Sequence, residues 1–187
     1  MMRIITGKAR GVKLDTLEGL ATRPTAEKVK EAIFSMIQFE TEGRRVLDIF
    51  AGSGQLSLEA LSRGAREAVL IDASKEAAEI IRRNAVKTKL FLQTKVIVSD
   101  YKTAVRQLSG GEKFDIVFCD APYAAKLTQD AVKRVLDADL LSDNGIIICE
   151  SDEETPFEHP KLNIRKHNHY GKTFVTVYEN KTDEEGE

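Results

Sequence analysis

Apolar and polar residues along the chain follow two periods, and the change of period predicts where strands and helices lie. Five short apolar runs, rich in branched and aromatic side chains, predict buried parallel strands over residues 46–50, 68–72, 95–99, 114–119 and 145–150. Apolar residues at helical spacing predict helices over 28–39, from 55 onward, over 74–87, up to 108 and over 124–136. Thr25 and Ser74 are the candidate caps of the first and third of these helices.

The last two predicted strands differ from the others because their apolar residues alternate with polar ones. Residues 162–170 and 172–179 join at Gly171 and predict a β-hairpin. Strands that alternate with helices predict a doubly wound α/β domain, here with a mostly parallel sheet of seven strands that ends in this hairpin. The carboxyl ends of such strands line one crevice, where ligands bind.

The beginning of the chain is basic, although the whole chain has a net charge of −2. Residues 1–30 hold seven Lys or Arg against three Asp or Glu. Residues 3–7 and 12–16 predict a small hairpin outside the main fold, and its basic residues make it a candidate arm for phosphate contacts. Charge alone is equally compatible with an ordinary solvated surface. We expect a hairpin extension over 1–20, the main domain over 21–180 and a disordered acidic tail over 181–187.

The composition is typical of a soluble globular protein. A chain of 187 residues suits one domain with a sizeable core, and 42% of the residues are apolar and 31% charged. No apolar run approaches the length of a membrane helix, and the first residues lack a signal-peptide core. Cys119 and Cys149 lie in predicted strands and indicate buried, reduced thiols, so we expect a cytoplasmic protein. The three histidines do not have metal-site spacing, and we expect no metal.

A glycine turn follows the first core strand and predicts a nucleotide-type pocket. Gly52 and Gly54 allow positive φ and a close approach to a ligand. The dinucleotide fingerprint requires a third glycine where this chain has Ser57. Asp48 would repel a pyrophosphate but suits a cationic ligand, and S-adenosylmethionine carries a sulfonium and an ammonium. In the alternative interpretation, Asp48 only accepts hydrogen bonds from loop amides.

Two further acids end the next two strands. Asp72 lies about 20 residues beyond the glycine turn, where an acid accepts ribose hydroxyls. Asp100 is a candidate acceptor for an adenine amino group, and it is also a candidate cap for the helix that follows it. Three acids at three successive strand ends are difficult to assign to capping alone.

The stretch Asp120-Ala121-Pro122-Tyr123 follows the fourth strand and predicts chemistry on an exocyclic amine. The Asp120 carboxylate and the Ala121 carbonyl would each accept one amine N–H and stabilise the positive charge that grows during methyl transfer. Tyr123 offers a ring face on which a flipped base stacks, and Pro122 stiffens the turn. The alternative is an ordinary turn at a strand end, since such short strings are common.

Several stretches together resemble the bacterial 16S ribosomal RNA guanine-N2-methyltransferases that act on guanine(966). The resemblance covers nearly the whole chain and includes Arg3-Ile4-Ile5-x-Gly7-x-x-Arg10-Gly11, Thr22-Arg23-Pro24-Thr25, Phe50-Ala51-Gly52-Ser53-Gly54, Leu58-Glu59-Ala60-Leu61 and Tyr170-Gly171-Lys172-Thr173. It implies a Rossmann-like class I methyltransferase fold, S-adenosylmethionine as donor and a small-subunit RNA substrate, in a ribonucleoprotein particle. One position departs from the family, which has proline where this chain has Ala121.

The resemblance also implies which residues would contact each ligand. The candidate cofactor-binding residues are Asp48, Phe50, Ala51, Gly52, Ser53, Gly54, Asp72, Ala73, Ser74, Asp100 and Tyr101. The candidate RNA-contacting residues are Arg10, Arg23, Thr25 and Tyr123, and the candidate catalytic residues are Asp120, Ala121, Pro122 and Tyr123. We expect a monomer.

Three other functions remain open at this point. An adenine-N6 methyltransferase on DNA or RNA would use the same Asp-x-Pro-Tyr chemistry. A cofactor-binding module that has lost catalysis is compatible with the change at Ala121. A nicotinamide-dependent oxidoreductase is disfavoured by Asp48 and Ser57, and by the lack of an evident catalytic Tyr/Lys or His arrangement.

Overall fold

The computed structural model of the protein describes residues 2–17, 24–121 and 125–181. In these ranges the helices are α1 (Pro24–Met36), α2 (Gln55–Ser62), α3 (Lys75–Lys87), α4 (Tyr101–Leu108) and α5 (Ala125–Asp137), with one 3₁₀ turn at Phe91–Gln93. The strands are β1 (Arg45–Asp48), β2 (Glu67–Asp72), β3 (Thr94–Val98), β4 (Phe114–Cys119), β5 (Leu141–Ser151), β6 (Leu162–Tyr170) and β7 (Thr173–Asn180).

The strands form one seven-stranded sheet in the order β3-β2-β1-β4-β5-β7-β6. The first five strands pair in parallel, and β7 pairs antiparallel with both β5 and β6. The predicted doubly wound sheet with a terminal hairpin is therefore confirmed. Since β1 lies between β2 and β4, the strand order reverses beside it. A crevice at the carboxyl ends of β1 and β4 follows from this reversal.

Each face of the sheet has its own apolar core. Residues of α1, α2 and α3 pack on one face with Ile116 and Phe118 of β4, and residues of α4 and α5 pack on the other with Val117 and Cys119. Successive side chains of a strand point to opposite faces. This alternation decides to which core each acid at a strand end belongs.

The N-terminal segment (residues 2–17) corrects one prediction. It forms a single isolated bridge, between Arg3 and Lys13, in place of two strands. Met2, Ile4 and Leu14 are buried and join the core beneath α1, α2 and α3, so the segment is not outside the main fold. These apolar residues point inward while Arg3 and Lys13 stay exposed. The division of the chain near residue 20 stays a prediction.

Several predicted element boundaries were also wrong. Strand β1 ends at Asp48, because residues 49 and 50 turn away, and β5 begins at Leu141, earlier than expected. Helix α1 begins at Pro24, a residue that suits a first helical turn, so Thr25 lies inside the helix and is not its cap. The helix ends at Met36, and Phe39 beyond it is 90% exposed.

Glu59 of α2 fixes the N-terminal segment to the core. Its fully buried carboxylate accepts the backbone N–H groups of Ile5 (2.8 Å) and Thr6 (3.0 Å). The Lys30 ammonium of α1 lies 3.6 Å away, and the Arg63 guanidinium donates to the carboxylate at 2.8 Å. Burial lowers the pKa of Lys30, and the charge of Glu59 opposes that effect. One buried charge thus joins two helices and the start of the chain.

The exchange Glu59→Gln tests this anchor. The amide would leave two cations without their anion and would present an N–H group towards backbone donors. We expect the free energy of unfolding to fall by about 3 kcal/mol, as when one partner of a buried ion pair is removed. Urea unfolding followed by circular dichroism measures it. Asp139→Asn is the control, because its pair with Lys113 is exposed and surface ion pairs contribute little to stability. Equal losses for the two variants would contradict the account.

Candidate active site

The glycine turn between β1 and α2 has the predicted backbone. Gly52 and Gly54 adopt φ values of +56° and +77°, and the Gly54 N–H donates to the Ala51 carbonyl at 2.7 Å. A Cβ on Gly54 would lie 3.1 Å from the Leu70 side chain, so close packing as well as φ requires glycine there. A Cβ on Gly52 would meet nothing within 4 Å. The turn is therefore packed at Gly54 and open at Gly52.

Asp72, at the end of β2, holds this turn in place. One carboxylate oxygen accepts the Gly52 N–H at 2.9 Å and the other accepts the Ser74 N–H at 2.8 Å. The Ser74 hydroxyl in turn accepts the Ala77 N–H at 3.2 Å, which confirms Ser74 as the cap of α3. Asp72 is half-buried, and each of its oxygens keeps a lone pair for a further donor.

Asn84 of α3 joins the turn to the N-terminal segment. Its side chain donates to the Ser53 carbonyl at 2.9 Å and to the Asp15 carbonyl at 3.0 Å, and it accepts the Asp15 N–H at 2.8 Å. The residue is fully buried. Sequence reasoning missed it, because a polar residue in a helix does not indicate which distant backbone it will contact.

Asp48, at the end of β1, is almost completely buried, with 1% of its surface exposed. The Ser57 hydroxyl donates to one carboxyl oxygen at 2.9 Å. The other oxygen, Oδ1, has no hydrogen-bond partner among the described residues. Burial raises the pKa of Asp48 to about 7, and the charges of Asp120 and Asp72 add to the shift while the Ser57 hydroxyl opposes it. Ser57 thus has a role that a third glycine could not fill.

Two more carboxyl groups lie next to Asp48 on the sheet. Cys119 of β4 pairs in register with Cys149 of β5, so Asp120 and Glu150 follow side by side. Burial raises the pKa of Asp120 to about 6. The pKa of Glu150 is well above its ordinary value, first because of burial and then because of the charges of Asp120 and Asp48. Three acids therefore share one poorly hydrated edge of the sheet.

Glu150 is a site residue that sequence reasoning did not single out. An acid directly after the apolar run 145–149 was the available signal, the same one that marks Asp72 and Asp100. The sequence does not reveal the register between β4 and β5, and it is this register that brings Glu150 beside Asp120.

Asp100 and the two aromatic residues lie further along the same edge. The Asp100 carboxylate accepts the Thr103 N–H at 3.0 Å and caps α4, which confirms the capping prediction. The ring centroids of Phe50 and Tyr101 are 5.3 Å apart, and the Tyr101 hydroxyl donates to Asp130 at 2.6 Å. Burial raises the pKa of Tyr101 to about 12, and the hydrogen bond to Asp130 is the second contribution to this shift. An adenine contact from Asp100 stays a prediction.

The structure brings some of the predicted residues together and separates others. The glycine turn, Ala73 and Ser74 lie with Asp48, Asp72 and Asp120 around the carboxyl ends of β1, β2 and β4, and Ala121 is buried beside Asp120. Pro122, Tyr123 and Arg23 lie outside the described residues, as do residues 182–187, and of Thr25 only the backbone is described.

Arg10 does not lie at this crevice. It is exposed in a turn whose neighbours Lys8 and Ala9 donate to Ser62, at the far end of α2. An eight-residue helix spans about 12 Å, which is the order of the distance from this turn to the glycine turn. A substrate that contacts both must extend along α2.

Nowhere in 2–17, 24–121 and 125–181 do three or more His, Cys, Asp or Glu side chains form a group that could hold a metal ion. Among the helices in the same ranges, none is long and apolar enough to cross a membrane.

The doubly wound sheet, the glycine turn and the strand-end acids define a Rossmann-like class I methyltransferase fold. The solved structure of yhhF from Escherichia coli superposes with a TM-score of 0.87 at 30% identity, covering 96% of this chain and 98% of that one. YlbH of Bacillus subtilis is 34% identical over 180 residues, which are 95% of this chain and 98% of YlbH.

Two further matches establish the family. Ribosomal RNA small subunit methyltransferase D of Haemophilus influenzae is 32% identical over 161 residues, 86% of this chain and 83% of that protein. Residues 2–179 match the family described as Conserved hypothetical protein 95. The chain belongs to this family, and the resemblance inferred from its sequence is confirmed.

The exchange Asp48→Asn tests the burial of this acid. A folded-state pKa of about 7, above the ordinary 3.8, means that Asp48 favours folding less as pH rises from about 4 to 7. The asparagine keeps the Ser57 contact without a charge. We compare the free energy of unfolding of the variant with that of the parent. We expect this difference to shift in favour of the variant by roughly 2–4 kcal/mol between pH 4 and pH 8. Urea titrations at several pH values measure the difference.

The control for this titration is Asp143→Asn, since Asp143 is exposed. Its difference from the parent should not vary with pH across this window. A similarly flat difference for Asp48→Asn would show that Asp48 titrates at its ordinary pKa, and the account of a buried acid would be wrong.

Proposed function

We propose that the protein transfers a methyl group from S-adenosylmethionine to the N2 amine of a guanine in small-subunit ribosomal RNA. The observation that carries the proposal is the set of buried or half-buried acids around the glycine turn, with no Lys or Arg paired to Asp48, Asp120 or Glu150 in the described part of the chain. Relatives named ribosomal RNA small subunit methyltransferase D support the substrate class.

The residues around the turn fit this cofactor. The unpartnered Oδ1 of Asp48 is a buried acceptor, the open side of Gly52 allows a close approach, and Asp72 has lone pairs to spare for ribose hydroxyls. Carboxyl groups whose pKa values are raised by burial and by one another favour a cation over a pyrophosphate. When bound, S-adenosylmethionine supplies an electrophilic methyl group on a cationic sulfur.

Asp120 and Ala121 serve the chemical step in this proposal. An exocyclic amine is a poor nucleophile because its lone pair is delocalised into the ring. The Asp120 carboxylate and the Ala121 carbonyl each accept one N–H, which localises that lone pair on nitrogen and stabilises the growing positive charge. The pKa of about 6 leaves Asp120 largely ionised at neutral pH. Ala121 stands where the family has proline, and it keeps the backbone carbonyl that accepts the amine. Tyr123 is the candidate residue for stacking on the base.

The RNA surface in this proposal begins at the N-terminal segment. Exposed Arg10 lies at one end of α2 and the crevice lies at the other, so an RNA helix or particle surface would span both. Arg23 and Thr25 are further candidates, just before and inside α1. A monomer in the cytoplasm, acting on the assembled or assembling small subunit, fits this arrangement.

The exchange Asp120→Asn tests the chemical step. It preserves shape but removes the charge and replaces an acceptor oxygen with a donor. We expect single-turnover methyl transfer, at saturating cofactor and RNA, to fall by roughly 100-fold. Cofactor affinity, measured by calorimetry, should change much less. Asp143→Asn serves as the control for an exposed acid. A variant that transfers methyl groups as fast as the parent would remove Asp120 from the mechanism.

The exchange Arg10→Ala tests the N-terminal RNA contact. Losing one phosphate contact should weaken RNA binding. It should also make the decrease of log affinity with log salt less steep by about 1, while cofactor affinity stays unchanged. Lys133→Ala is the matched control, because this exposed residue lies on α5, on the opposite face of the sheet. If the two variants bind RNA equally well at every salt concentration, Arg10 is only a solvated surface residue.

A further inference from the structure

Glu150 lies beside the proposed chemical centre on a neighbouring strand. It is the residue before the last of β5, and the register of Cys119 with Cys149 sets it at the level of Asp120. Phe118 and Ile148 both pack in the core beneath α1, α2 and α3. Asp120 and Glu150 lie two residues after them, so alternation along the chain directs both carboxyl groups to that same face of the sheet. Two carboxyl groups therefore face one point of the crevice.

Nothing in the described part of the chain compensates the Glu150 carboxyl group. No ion pair or side-chain hydrogen bond involves it there, and its nearest charges are those of Asp120 and Asp48. A half-buried carboxylate without a protein donor is left to water or to a ligand that supplies the donor. The unpartnered Oδ1 of fully buried Asp48 is an independent sign that a ligand with donors enters this edge.

We propose that the Glu150 carboxylate accepts the N1–H of the target guanine and thereby selects guanine over bases that lack this proton. The inference rests on the proposed function. The Watson–Crick edge of guanine presents the N1–H next to the N2 amine, so two adjacent acceptors match it. Asp120 takes one amine N–H, and Glu150 takes the neighbouring proton. The guanine N1–H stabilises the ionised form of Glu150, which poor hydration and the neighbouring acids disfavour in the free protein. Adenine presents a lone pair at N1, which the ionised carboxylate repels.

The probe is RNA in which 2-aminopurine replaces the target guanine. This base keeps the exocyclic 2-amine but has a lone pair at N1 and lacks the 6-oxo group. It therefore loses the contact assigned to Glu150 together with any contact to O6, and the Glu150 variants below separate the two losses. We expect the wild-type protein to methylate 2-aminopurine roughly 100-fold more slowly than guanine, since a site built for a hydrogen bond rejects a base that cannot make it. Equal single-turnover rates on the two RNAs would overturn the proposal, and this comparison needs no variant.

The exchange Glu150→Gln provides the second arm. A glutamine amide donates to N1 of 2-aminopurine through its NH2 group and still accepts from guanine through its oxygen. We expect the ratio of the guanine rate to the 2-aminopurine rate to fall by at least about 10-fold. Glu150→Asp keeps the charge, so its ratio should stay close to that of the wild type. Calorimetric binding of S-adenosylmethionine confirms that each variant is folded.

The outcomes separate this inference from the proposed function. If the wild-type protein methylates no guanine amine, the proposed function fails. If guanine is methylated but the ratio is the same for the wild type and Glu150→Gln, only the role of Glu150 fails. A structural role for Glu150 would lower both rates together and leave the ratio unchanged.

Discussion

The gathering of three carboxyl groups at one edge of the sheet, with Asp48 buried and Asp120 and Glu150 half-buried, is the constraint on which the site depends. Asp48 and Glu150 lie at the carboxyl ends of β1 and β5, and Asp120 directly follows β4. Because β4 lies between β1 and β5 in the sheet, the three acids share one edge. Poor hydration raises the pKa of each, and the charges of neighbouring acids add to the shift for Asp48 and Glu150. A cationic ligand with hydrogen-bond donors relieves both costs, and a phosphate would increase them. The preference for a sulfonium donor and an amine acceptor follows from this constraint.

The helices and the N-terminal segment keep the edge in place through polar contacts between distant parts of the chain. Glu59 joins the N-terminal segment to α1 and α2, and Asn84 joins the same segment to the glycine turn. Asp72 connects that turn to the start of α3. Each of these side chains is buried or half-buried and makes at least two hydrogen bonds to the backbone, which restricts the turn to one arrangement. The segment proposed to contact RNA is therefore part of the same rigid structure as the cofactor site.

Local patterns in the sequence predicted the strands of the main sheet, two of the three helix caps and the glycine turn, because these depend on residues close together in the chain. Ser74 and Asp100 cap helices that begin directly after them, and Gly52 and Gly54 take the expected positive φ. The burial of Ile4, the position of Arg10 at the far end of α2 and the proximity of Glu150 to Asp120 were not predicted. They depend on pairings between residues about 30 to 60 positions apart, for which no local period exists. Charge alone suggested a separate arm, whereas alternating apolar residues bury the segment.

The most direct measurement of the central claim is nucleoside analysis of small-subunit RNA after reaction with S-adenosylmethionine labelled on its methyl group. The RNA should be offered both naked and in assembled particles, and digested to nucleosides for mass spectrometry. The account predicts that the label appears in N2-methylguanosine and maps to one position. Label in N6-methyladenosine, or none in either substrate although the cofactor binds, would contradict it.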